Sequence, residues 1–148
     1  MKIYLGSDHA GYELKETIKA FLAGKKYDVE DMGALKYEAE DDYPDFIKPV
    51  AKAVAKNPDK DRGIIFGGSG QGEAMAANRF KGVRATVFYG GPMKIIDLSR
   101  EHNNANILSF GARFITEEEA KTVVEFWLRT GFAGGRHKRR IKKIDAKS

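Results

Sequence analysis

The sequence predicts an α/β protein: a parallel sheet of five strands, covered by helices on both faces and followed by a C-terminal helical tail. Two observations predict this class. Short apolar runs of strand length alternate with stretches whose apolar residues recur at helical spacing, the order that builds a parallel sheet between two helical layers. Polar residues and glycines gather just after the strand-like runs, where open α/β sheets bind their ligands. With 148 residues, 42% of them hydrophobic, the chain reads as one domain, 1–148, large enough to bury a core without metals or disulfides.

Residues 2–6 form the first predicted strand. Leu14, Ile18, Phe21 and Leu22 then fall on one helical face, and Gly24 ends that helix. A short second strand covers 27–31. An acidic loop, 32–45, with Tyr43-Pro44 near its end, leads to a helix marked by Ile47, Val50, Ala51 and Val54. The third strand, 62–66, breaks into a glycine-rich turn, and a small-residue helix follows through Arg79. Residues 84–89 are the fourth strand, 93–101 a helix, and 106–110 the fifth strand, which runs into Gly111-Ala112-Arg113. Thr116 and Glu119 have capping-box spacing ahead of Ala120, Val123, Val124, Trp127 and Leu128. Gly131 stops that helix, Gly134-Gly135 makes a joint, and the basic segment beyond it forms a last helix.

Composition excludes several function classes. The chain has no cysteine, so disulfides, thiolate metal sites and a cysteine nucleophile are out, and a reducing cytoplasm is compatible. Met1-Lys2-Ile3-Tyr4-Leu5 runs into Gly6-Ser7-Asp8 without the pattern of a secretory leader. No apolar run approaches the roughly 20 residues that span a bilayer, so a cytoplasmic protein away from membranes is expected. The net charge of +5 is unevenly spread. Arg136, Lys138, Arg139, Arg140, Lys142, Lys143 and Lys147 stand against Asp145, which gives 136–148 a net of +6 and leaves the rest at −1. Such a tail fits a solvated helix, a nucleic-acid arm or a specific phosphate grip.

The densest chemical signal is Gly67-Gly68-Ser69-Gly70-Gln71-Gly72-Glu73. Glycines let backbone N–H groups approach a ligand closely, and a helix N-terminus favours negative charge. Glu73 reads equally as a base beside that cradle or as a favourable charge at the helix dipole. A reciprocal capping box would need Ser or Thr at position 70, where Gly70 stands. The histidines His9, His102 and His137 each lie at a loop or element end beside Asp, Asn or Arg. His102-Asn103 precedes the fifth strand and so falls near the opposite end of the sheet from Asp8. It reaches a site at the other end most simply in a neighbouring subunit. Arg136 and Arg140, four apart, project from one helical face and are suited to gripping a phosphate dianion.

Gly6-Ser7-Asp8-His9-Ala10-Gly11, Asp42-Tyr43-Pro44, Gly67 through Glu73, Arg100-Glu101-His102-Asn103-Asn104-Ala105-Asn106 and Gly134-Gly135-Arg136-His137 follow in this order. Together they closely resemble the type B ribose-5-phosphate isomerase family, which also includes galactose-6-phosphate and allose-6-phosphate isomerases. The resemblance covers the chain to about Lys143. It implies a three-layer Rossmann-like α/β/α domain working as a homodimer with shared active sites, or as a tetramer, without metal or organic cofactor. It also implies interconversion of an aldose phosphate and a ketose phosphate through an enediolate. Many bacterial members carry a cysteine base right after the third strand. Gly67 stands there in this chain, which matches instead the branch whose base is a glutamate on the next helix, here Glu73.

By the same resemblance His102 assists opening of the sugar ring, and the turn from Gly68 to Gly72 holds the enediolate, with Gly68, Ser69, Gly70 and Gly72 as contacts. Ser69 and Asn103 assist at the oxygens, and Asp8 orients a sugar hydroxyl. His9, Arg113, Arg136 and Arg140 grip the phosphate with His137 nearby, and Tyr43 lines the sugar pocket. Ribose 5-phosphate is the expected substrate, with allose or galactose 6-phosphate as the alternative. A dinucleotide-dependent oxidoreductase is disfavoured because the third glycine of G-x-G-x-x-G is missing after Gly70-Gln71-Gly72. A nucleic-acid-binding module is disfavoured because no aromatic residue interleaves the basic ones after Phe132.

Overall fold

The computed structural model describes residues 1–147; Ser148, the last residue of the basic tail, lies outside the described residues. Five strands, β1 (Lys2–Ser7), β2 (Asp28–Asp31), β3 (Arg62–Gly67), β4 (Ala85–Phe88) and β5 (Ile107–Gly111), form one sheet in the order β2-β1-β3-β5-β4. Every pairing is parallel. The predicted strands are all present, with no end displaced by more than one residue. The fourth is the most shortened. Arg84 leaves the ladder to donate its N–H to Asn106 Oδ1 at 2.8 Å, and Gly90 and Gly91 turn the chain away with φ of 116° and 107°.

Six helices connect and flank the strands: α1 (Tyr12–Gly24), α2 (Pro44–Lys56), α3 (Gln71–Ala77), α4 (Met93–Glu101), α5 (Glu117–Arg129) and α6 (Arg136–Lys142). Helix α3 stops short of the predicted Arg79. The Asn78 side chain accepts from Ala85 N at 2.7 Å and donates to Ala85 O at 3.1 Å, which ties the helix end to β4. Helix α5 ends before Gly131, because Thr130 is extended and its hydroxyl donates to Phe126 O at 2.7 Å. The capping box at its start is half made. Thr116 Oγ1 accepts from Glu119 N at 3.1 Å, but among the described residues the Glu119 side chain makes no return bond.

Side-chain alternation along the inner strands sorts the core into two layers. Ile64, Phe66, Leu108 and Phe110 face α1, α4 and α5, against Leu14, Ile18, Leu22, Ile96, Val123, Val124 and Trp127. Ile65 and Ile107 face the other way, against Ile47, Val50, Ala51 and Val54 of α2 and Ala77 of α3. The result is the three-layer arrangement expected. The order of strands places β1 and β3 side by side although β2 intervenes in sequence, and a crevice outside the C-terminal ends of such neighbours is where this architecture binds ligands.

The half-made cap has a measurable consequence. Thr116→Ala is expected to cost about 1 kcal/mol of stability, read by denaturant unfolding, whereas Glu119→Ala should leave the midpoint nearly unmoved.

Candidate active site

The glycine turn starts where β3 ends and is held by β5. Ala112 N donates to Gly67 O at 2.8 Å and Arg113 N to Gly68 O at 3.2 Å. Ser109, buried in β5, donates its hydroxyl to Gly70 O at 2.7 Å. Gly70 precedes α3 with φ of 78°, a conformation that favours glycine, and a Cβ there would press on the backbone of Phe110 and Gly111 at about 3.0 Å. Gln71 N is taken by Ser69 Oγ at 3.3 Å. The N–H groups of Gly68, Ser69, Gly70 and Gly72 donate to no protein group among the described residues.

Glu73, in the first turn of α3, is only 4% exposed. Its carboxylate occupies the space that a side chain at Gly67 would fill: a Cβ built on Gly67 lands on the carboxylate itself. Burial pushes the Glu73 carboxyl above its ordinary range, its own backbone N–H pulls it partly back, and the Asp8 carboxylate adds to the rise. A carboxyl shifted in this direction is better suited to proton transfer than one at its ordinary value.

Other predicted residues converge on this edge. The Tyr43 ring lies over Gly72, 2.7 Å from where a Cβ would be, and the Arg113 guanidinium lies over Gly68, 3.1 Å from the equivalent point. Asp8 accepts from Ala10 N at 3.0 Å and Gly11 N at 3.3 Å. The His9 ring is held by Asp41, Nδ1 to Oδ1 at 2.7 Å. Asp8, His9 and Asp41 offer three metal-type donor atoms within 4.8 Å of one another, but the His9 and Asp41 donors are already engaged with each other.

The remaining predicted residues lie at the opposite edge. His102 caps the C-terminal end of α4, four residues before Asn106. Asn106 ties the N-terminal edge of the sheet together by donating to Pro58 O and Gly82 O. Helix α6 is docked at this same edge, through Ala133 N to Glu101 O at 3.0 Å and Gly82 N to Asp145 Oδ2 at 2.9 Å. His102 and His137 stack there, ring centroids 4.1 Å apart and 15° from parallel, with Arg136 and Arg140 on the same helix and Asn103 alongside. Burial, His102, Arg136 and Arg140 all push His137 below its ordinary range. Within one chain, then, the fold gathers Asp8, His9, Tyr43, the glycine turn, Glu73 and Arg113 at one edge. It gathers His102, Asn103, Arg136, His137 and Arg140 at the other.

Residues 3–144 match the family model described as Ribose/Galactose Isomerase. The chain belongs to that family. The isomerase is 46% identical over 142 residues to a probable ribose-5-phosphate isomerase B of Mycoplasma genitalium, covering 96% of this chain and 92% of that one. It is 42% identical over 145 residues to ribose-5-phosphate isomerase B of Escherichia coli K12, covering 98% and 95%. A crystal structure of the Mycoplasma genitalium enzyme with bound ribulose-5-phosphate superposes with a TM-score of 0.92 at 45% identity, covering 97% of this chain and 93% of that one.

Two residues of the isomerase's turn-side edge carry no signal in the sequence. Asp41 is one of several acids in a polar loop, and a pairing with a histidine 32 positions away has no spacing signature. Ser109 sits mid-strand and reads as an ordinary core position. Both became visible only through their partners. The coupling of Gly67 to Glu73 is testable by a double-mutant cycle. Gly67→Ala is expected to destabilise the parent by about 1–3 kcal/mol, as overpacking does, and to lower kcat by displacing the carboxylate. In a Glu73→Ala background the same substitution should be nearly neutral by thermal or denaturant unfolding.

Proposed function

We infer that the isomerase interconverts ribose 5-phosphate and ribulose 5-phosphate through an enediolate, using the whole chain as one isomerase domain and a site shared between two copies. The observation that carries this reading is the buried Glu73 carboxylate, raised in proton affinity, next to a turn in which the N–H groups of Gly68, Ser69, Gly70 and Gly72 have no protein acceptor among the described residues. The ribulose-5-phosphate bound to the similar Mycoplasma genitalium structure supports the choice of a five-carbon substrate.

The furanose opens first, with His102 moving the proton at the ring oxygen. Glu73 then takes the C2 proton, and the C–H electron pair forms the C1–C2 double bond of the enediolate. The same carboxyl returns that proton to C1, while the hydroxyl proton passes from O2 to O1 and leaves the ketose. Backbone N–H groups of the turn stabilise the developing oxyanion, an arrangement commonly worth about 3–4 kcal/mol per donor. Ser69 and Asn103 serve the oxygens and Asp8 orients a hydroxyl. The phosphate is gripped by His9 and Arg113 from one chain and by Arg136 and Arg140, with His137, from the partner. A two-fold arrangement lets each edge of one copy meet the opposite edge of the other, which completes two sites at once.

Glu73→Gln is expected to abolish turnover of ribose 5-phosphate and exchange of the C2 proton with solvent, while phosphate binding survives. The parent should prefer ribose 5-phosphate to allose 6-phosphate and galactose 6-phosphate. Because folding favours the protonated Glu73, the folded state holds more protons and loses stability as pH rises from the ordinary carboxylate range through the raised value. The glutamine variant should therefore be the more stable of the two at neutral pH, and thermal unfolding across pH reads this directly.

Shared sites predict complementation. Subunits carrying Glu73→Gln mixed with subunits carrying His102→Asn should regain activity, one intact site per mixed dimer. If each chain serves its own site, the mixture stays inactive.

A further inference from the structure

The acidic loop between β2 and α2 carries a carboxylate that the reaction as described does not use. Asp41 Oδ1 accepts twice from the same residue: from the His9 backbone N–H at 3.0 Å and, at 2.7 Å, from the His9 ring at Nδ1. One oxygen thereby fixes both the backbone and the ring of His9. The Asp41 side chain is 8% exposed, and its second oxygen, Oδ2, is buried with no hydrogen-bond partner. Among the described residues the only basic side chain that Asp41 meets within ion-pair distance is His9. A buried, half-satisfied carboxylate of this kind is costly unless a cation faces it.

The His9 side chain itself is partly exposed. Tyr37, from the same loop, meets the His9 ring edge-on at 6.2 Å and 87°, and Tyr12 of α1 in turn meets Tyr37. The loop that carries both residues is anchored to β1 and α1. Ser7 N donates to Gly33 O and Ala34 N to Ser7 O, each at 2.8 Å, and the fully buried Lys15 donates Nζ to Ala34 O and to Asp31, each at 2.7 Å. These bonds fix the start of the loop, and the two bonds to His9 fix Asp41 itself.

We propose that Asp41 is a positioning residue for the phosphate grip: it holds the proton on His9 Nδ1, so that Nε2 faces the phosphate, and balances the imidazolium formed when the phosphate binds. A ring protonated at Nδ1 alone can only accept at Nε2. A phosphate dianion needs a donor there, so binding requires protons on both nitrogens. A buried carboxylate on one side and a dianion on the other stabilise that doubly protonated ring, and the pair acts as one charge-assisted relay. The proposal rests on the reading above that His9 contacts the substrate phosphate.

The test uses the full chain, with inorganic phosphate as probe for binding and ribose 5-phosphate for turnover, in the parent and in Asp41→Asn. Asparagine keeps the shape and the acceptor but lacks the charge. In the parent, nitrogen-15 spectra of the His9 ring are expected to report a protonated Nδ1, and added phosphate should move Nε2 to the protonated range. Asp41→Asn should raise KM for ribose 5-phosphate about tenfold, the scale of one charge-assisted hydrogen bond, with kcat within about twofold of the parent. A parent Nδ1 without a proton overturns the proposal, and this arm needs no variant. If phosphate leaves Nε2 unmoved in the parent, the placement of His9 at the phosphate fails. If Nε2 responds normally but KM is unchanged in Asp41→Asn, or kcat falls with KM unchanged, only the role of Asp41 fails.

Discussion

A carboxylate can sit dry at the end of β3 only because the residue beneath it has no side chain. The Glu73 carboxylate lies where a Cβ of Gly67 would be, so this pair of positions is a single structural decision. Everything else on the turn-side edge is arranged around it. Gly70 takes a left-handed conformation so that the chain can enter α3 at once, Ser109 and the strand-like bonds to Ala112 and Arg113 hold the turn from below, and Tyr43 closes over Gly72. Desolvation raises the proton affinity of the carboxyl, and among the described residues the N–H groups of Gly68, Ser69, Gly70 and Gly72 find no protein acceptor. The proposed base and the proposed oxyanion donors thus belong to one packed unit rather than to separate features.

The sheet imposes a second constraint. Parallel strands put all their C-terminal ends on one side, so residues that follow strands and residues that precede them are held a full strand length apart. Asp8, Gly67 through Glu73, and Arg113 follow strands. His102 and Asn103 precede one, and α6 is bound to that same edge through Ala133 and Asp145. No rearrangement of side chains joins these two groups within a chain. The proposed shared site answers this separation, since a two-fold axis would set opposite edges of two copies against each other.

The loop ahead of α2 has a larger part than its polar composition implies. Lys15, fully buried, ties it to α1 through Asp31 and Ala34. The loop then supplies Tyr37 and Asp41 to His9, and it hands on to Tyr43 at the start of α2. A buried ion pair of this kind is weak evidence of stability. Its effect here is positional, since it pins the start of the loop that carries Tyr37, Asp41 and Tyr43.

The class of fold was legible in the chain itself. Apolar runs such as Ile64-Ile65-Phe66 and Ile107-Leu108 can bury both faces only in a covered parallel sheet, and the helical spacings of α1, α2 and α5 supply the cover. Thr116 marks its helix start because capping is local. Glu73, the glycine turn and the five motifs of the family were legible for a related reason, since each is a contiguous string with its own chemistry. The order β2-β1-β3-β5-β4, the ends of α3 and α5, the His102–His137 stack and the Asp41–His9 pair were not. Each depends on residues distant in sequence meeting in space: Asn78 with Ala85, Asp41 with His9, and α6 with the loop after α4. Such meetings follow from the packing of whole layers, so only the tertiary structure decided them. The opposite placement of His102-Asn103 and Asp8 followed from the order of elements in the chain, and the tertiary structure added that α6, with Arg136, His137 and Arg140, docks at the His102 edge.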